Sequence, residues 1–199
     1  MNTTALFVEL VVIGAGATVW LLFLVLSIFG YSWVPWKEAN SFVALIPFLS
    51  FTYVTGILVD RVSDQIFSKW DKRIRKEKFL SNEEYHKART YTYSFAEDRI
   101  INLFEYGRSR LRISRAWSIN FLLLAITSSM FIFIRLPNEL PREFFYIMIF
   151  SFLFCSSGSL LSFFSWKNLA KNDYNRLAET YILLKEGKGY TLNSSISED

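Results

Sequence analysis

Four long apolar runs constrain this chain more than any other feature, and three of them carry no charge at all. The first, Leu6 to Phe29, has Glu9 as its only ionisable residue. The second, Ser41 to Val59, lies between Lys37 and Glu38 on one side and Asp60 and Arg61 on the other. The third runs from Ala116 to Ile134 between two arginines, and the fourth from Phe144 to Trp166 between Arg142 and Lys167. A hydrocarbon layer about 30 Å thick is crossed by roughly 20 helical residues, because lipid offers no partner for an open backbone amide. All four runs are long enough or nearly so. A hydrophobic content of 52% would also suit a soluble domain, so the blockwise distribution decides the class. The expectation is an all-α polytopic membrane protein with four transmembrane helices. A cleaved signal peptide fits the first run poorly, since Met1–Thr4 has no positive residue and the apolar stretch is too long. Pro47 removes one backbone bond in the second run and predicts a modest kink.

Orientation is read from the basic residues near the span ends. Residues 60–115 carry fourteen Lys and Arg and residues 167–199 carry five, against one in 30–40 and two in 135–143. The long connection and the C-terminal tail are expected on the cytoplasmic side of a plasma (inner) membrane. The N-terminus and both short loops are expected outside. Trp33 and Trp36 then suit an outer aromatic belt, and Trp117 and Trp166 an inner one.

The expected segments are 1–59 (spans one and two), 60–115 (a basic cytoplasmic helical hairpin), 116–166 (spans three and four) and 167–199 (a cytoplasmic tail). Val59, Val62, Ile66, Trp70 and Ile74 recur at helical spacing with Ser63 and Phe67 beside them, predicting an amphipathic helix that grows out of span two and stops near Phe79–Leu80. Ser81 to Glu84 reads as a capping box. The helix it starts would place Tyr85, Ala88, Thr92, Phe95, Arg99 and Leu103 on one stripe, with Gly107 as an end or bend. The two arms would each be about 20 residues, too small for a large core of their own. In the tail, Tyr174, Leu177, Tyr181 and Leu184 mark a shorter amphipathic helix ended by Gly187 and Gly189, with Tyr190–Asp199 disordered.

The candidate functional residues fall into three groups. Arg108, Arg110, Arg112 and Arg115 form the densest charge run. They read as anchors to anionic phospholipids, as a site for an anion or a partner, or as pairs for Glu97, Asp98 or Glu105 across an oligomer. Glu9, Asp60 and Asp64 are candidates for an ion or coupling site. Gly14 in span one and Ser151, Cys155, Ser159 and Ser162 in span four are small residues at close to helical spacing, suited to helix packing and compatible with a wet channel wall.

A lone cysteine leaves no internal disulfide, and a lone His86 leaves no histidine-rich metal site. No nucleophile elbow, phosphate loop, HExxH or CxxC motif is present, so neither a catalytic residue, a bound metal nor a cofactor is expected. Direct binding of nucleic acid is disfavoured, because the aromatics of the basic segment belong to a packing face. In span count, length and loop placement the chain resembles the compact multipass proteins of bacterial anti-phage systems, a likeness of layout that transfers no residue. The expected function is that of a non-catalytic homo-oligomeric membrane sensor, effector or channel-like assembly. The alternatives are an anchor or scaffold for a soluble cytoplasmic partner and, with no inverted repeat to support it, a small transporter.

Overall fold

A computed structural model describes residues 3–32, 42–138 and 142–196. The described residues form helices joined by short connections, in the order α1 (Thr3–Phe29), α2 (Phe42–Lys76), α3 (Asn82–Phe95), α4 (Asp98–Arg135), a 3-10 turn (Leu136–Asn138) and α5 (Phe144–Ile196). Four of these helices, α1, α2, α4 and α5, are long and apolar enough to cross a membrane. Trp33 and Trp36 lie outside the described residues.

Contacts divide the chain into two compact units. Unit one is Met1–Ile66 with Arg112–Trp166, and unit two is Phe67–Leu111 with Lys167–Asp199. The division falls inside α2, α4 and α5, so each of these helices contributes to both units. The tail, set apart in the sequence, joins the middle segment in unit two.

Unit one inverts the burial pattern of a soluble domain. Phe29, Phe133, Phe150 and Leu161 are each at least 65% exposed, whereas Ser27, Thr52, Thr127, Ser128 and Asn120 are buried. Large apolar side chains facing outward and small polar ones facing neighbouring helices is the arrangement expected where the surroundings are hydrocarbon. Helix contact is correspondingly close. A Cβ on Gly14 would overlap the carbonyl of Thr52, and one on Gly56 would overlap the carbonyl of Leu10, so α1 and α2 meet backbone to backbone. Span four packs through its serines. The Ser159 hydroxyl donates to the Ser118 carbonyl at 2.8 Å, Ser118 returns a bond of 3.2 Å, and Ser151 meets Ser128 at 3.0 Å.

These contacts correct the expected direction of span one. Glu9 of α1 pairs with Arg112, which also grips Asp60, at the end of unit one where α2 leaves and α4 enters. At the opposite end, the Arg135 guanidinium donates to the carbonyls of Ser27 and Ile28. The N-terminal end of α1 therefore shares a side with the basic segment. Four crossings return a chain to the side from which it set out, so an N-terminus opposite the C-terminus is incompatible with four spans. From Glu9 to Ser27 the helix rises about 27 Å, close to the thickness of the hydrocarbon layer.

Unit two departs from a two-armed hairpin. The capping box at Ser81 is present, with the Glu84 amide donating to the Ser81 hydroxyl at 3.1 Å. Its reciprocal bond is shifted by one residue, since the Glu84 carboxylate accepts from the Leu80 amide at 2.8 Å. The second arm breaks early. Ala96 is extended (φ −78°, ψ 152°) and α3 ends at Phe95. A new helix, α4, then starts at Asp98 and passes through Gly107 without interruption. Of the predicted stripe, Ala88 and Thr92 are buried while Phe95, Arg99 and Leu103 are exposed. The break turns the later residues away from the face that the earlier ones use.

On α2, Phe67 and Ile74 are buried while Val62, Ile66 and Trp70 are more than 40% exposed, so the inward face of the helix is rotated from the most apolar one. Asp71 explains the rotation, because its carboxylate accepts the Tyr174 hydroxyl at 2.9 Å. Tyr174 and Leu177 are buried, as their spacing suggests. The tail helix, however, is the continuation of span four and runs to Ile196 through Gly187 and Gly189. Glycine costs a helix about 1 kcal/mol but stops it only in a left-handed conformation, and Gly30 is the one glycine with positive φ among the described residues.

Candidate functional site

Two arginine clusters arise from one short run, and the boundary between the units passes between them. In unit one, Arg112 stands two turns before the fully buried Asn120 on α4. Its Nε and Nη2 grip the two oxygens of Asp60 at 3.4 and 2.8 Å, a fork matching a carboxylate. Its Nη1 reaches Glu9 at 3.3 Å. Three residues on, Arg115 donates to Asp60 at 3.4 Å and to Asp64. Five residues from three helices thus form one chain of charges, Glu9–Arg112–Asp60–Arg115–Asp64. The Glu9 side chain is 7% exposed, Asp60 14% and Asp64 65%, so the chain leads from the interior to the surface.

Glu9, the one acid of the first apolar run, is thus buried against a cation. Asp60 and Asp64, read from the sequence as candidates for an ion or coupling site, both face guanidinium groups. No group of three or more His, Cys, Asp and Glu residues that could hold a metal occurs among the described residues. Within this chain, Arg112 and Arg115 pair with Glu9, Asp60 and Asp64 rather than with Glu97, Asp98 or Glu105.

Next to this chain of charges, Asn120 fastens α4 to α1. Its amide donates to the Ile13 carbonyl at 2.8 Å, and its oxygen accepts from the Trp20 indole at 3.2 Å. Gly16 makes room for it, since a Cβ there would meet the Asn120 amide nitrogen at 2.6 Å. A single asparagine within an apolar run was the sequence signal for this contact. Gly14 is at the α1–α2 crossing, and Cys155 is buried between the bonded Ser151 and Ser159 on α5. Ser162 is partly buried.

In unit two, Arg108 lies over the Tyr93 ring at 5.6 Å, with Arg89 over the same ring at 5.8 Å. Burial pushes the Tyr93 phenol above its ordinary pKa, and the two arginines oppose that shift. Arg110 lies over Tyr106 at 5.6 Å. Around Asp173 of α5 stand Arg89, Arg108 and Arg176. A cavity of about 20 Å³ bordered by Arg89, Tyr93, Arg108 and Asp173 has room for one water molecule. His86 is exposed and stacks edge-on against Tyr85.

No protein-family model, no curated protein and no solved structure matches the chain.

Proposed function

We propose that this protein is a non-catalytic, oligomeric membrane sensor or effector with a channel-like response. Its basic unit faces the cytoplasm and receives a ligand or partner, and its spanning bundle answers. The observation that carries this reading is the sharing of α2, α4 and α5 between the two units. All three helices run unbroken from one unit into the other, which makes them the elements that would carry a signal. The count of basic residues favours a cytoplasmic side for unit two and the tail, and the Glu9–Arg112 pair brings the start of α1 to that side.

Dye-loaded liposomes containing the purified full chain test the proposal. Leakage that changes when Glu9→Gln and Arg112→Gln are combined supports it, because the pair ties α1 to α4. Liposomes sealed with either protein count against it. The second reading, a scaffold for a soluble partner, is favoured by an open groove of about 480 Å³ in unit two, lined by His86, Tyr91, Phe95 and Tyr181 among others. Sealed liposomes together with one stoichiometric soluble partner would select that reading.

A further inference from the structure

Unit two contains a groove between α4 and α5 that the reading above leaves without an occupant. Arg110 and Tyr106 face it from α4, and Asn172, Asp173 and Arg176 from α5. Both guanidinium groups are exposed, and neither makes a hydrogen bond or ion pair among the described residues. Asp173 is the one carboxylate on the wall, and Arg89 and Arg108 also stand near it, so the locality carries a surplus of positive charge. From these contacts we infer that the groove is a phosphate-binding site, with Arg110 and Arg176 clamping the phosphate oxygens and the Asn172 amide adding a neutral donor.

Chemistry and size both favour that ligand. Planar guanidinium forks match the oxygens of a phosphate better than any other side chain does. The cavity is about 180 Å³, enough for a phosphate group. Whole small ligands usually occupy about 300 Å³ or more, so the remainder of the molecule must lie outside. At the rim, Tyr106 is 61% and Leu103 46% exposed, which gives that remainder an apolar surface to rest on. Arg110 precedes Arg115 by five residues on the same helix, near the start of span three. The phosphate of an anionic lipid meets all of these conditions, and a soluble phosphate monoester meets the first two.

The site rests on the reading of unit two as a cytoplasmic module beside the bilayer. Nanodiscs of phosphatidylcholine containing phosphatidic acid test it with the full chain, by measuring the lipid retained on extraction. Wild type is expected to retain phosphatidic acid in preference to phosphatidylcholine. Replacing Arg110→Gln and Arg176→Gln together should lower that preference by about tenfold or more, the scale of one charge-assisted bond. Asp173→Asn should raise it, because a negative charge leaves the wall while the side-chain shape is kept. Lys69→Gln with Lys72→Gln removes the same charge from an exposed face of the unit and should change little. Equal losses in the arginine and lysine pairs would overturn the site as a diffuse basic surface. A fall with Asp173→Asn would overturn it as a cation site.

Competition with inorganic phosphate at matched ionic strength distinguishes the sources. Displacement of the lipid identifies a soluble phosphate ligand, and retention identifies the headgroup; both keep the phosphate assignment. Dye leakage from the same variants separates this failure from that of the channel-like reading. Lost preference with wild-type leakage removes the site alone.

Discussion

Arg112 and Arg110 are two residues apart on one helix and lead opposite lives. Arg112 is enclosed by Glu9 and Asp60, whereas Arg110 lies over an exposed tyrosine and makes no ion pair among the described residues. Arg115 sides with the first and Arg108 with the second. A charge run that looks uniform in sequence is divided by the structure into a half held in direct ion pairs in unit one and a half laid over aromatic rings in unit two. Charges that hold helices together must be paired, because an uncompensated ion in a poorly solvated place is expensive. Charges kept for a ligand must stay unpaired, and the aromatic faces beneath Arg108 and Arg110 orient them without quenching them.

The sharpest way to break this comparison is Arg112→Ala. It strands Glu9 and Asp60, and it is expected to destabilise the protein by about 3 kcal/mol, read as a lower melting temperature in detergent. Adding Glu9→Gln should recover part of the loss. Full additivity of the two changes would mean that they do not act as a pair. Gly14→Ala attacks the same half by another route, since the added methyl forces α1 off the Thr52 carbonyl. A loss of about 1 to 3 kcal/mol is expected, with helix content retained. Ser81→Ala removes the cap of α3 in unit two and should cost about 1 kcal/mol, leaving the Gly14 and Arg112 phenotypes unchanged. Smallest of all, Arg108→Gln and Arg110→Gln should each shift stability by no more than about 0.5 kcal/mol. If Arg110→Gln melted the protein as strongly as Arg112→Ala, the division into two kinds of arginine would fail.

The spans were legible because lipid imposes a length and a composition that a sequence displays directly. The cap at Ser81 was legible because its chemistry is local to four residues. The break at Ala96 was not: no glycine or proline marks it, and the apolar stripe reads through without pause. Nor was the charge chain, whose members lie 103 residues apart for Glu9 and Arg112 and 52 for Asp60 and Arg112. Each arginine could be seen to need an acid, but proximity in sequence nominated Glu97, Asp98 and Glu105. Counting basic residues placed the loops, yet it says nothing of an N-terminal stretch that carries none. There the number of crossings had to decide, and it reverses the first assignment.

The two arginine anchors on α4 limit how the bundle can move. Arg112 holds the first turns of α1 through Glu9, and Arg135 holds its last carbonyls, so the two rods are pinned at both extremities. A piston stroke of α1 by one turn, about 5.4 Å, would pull both pins at once. Swivelling or splaying about the glycine crossing can leave at least one in place. Any movement between these two rods must therefore turn them rather than slide them.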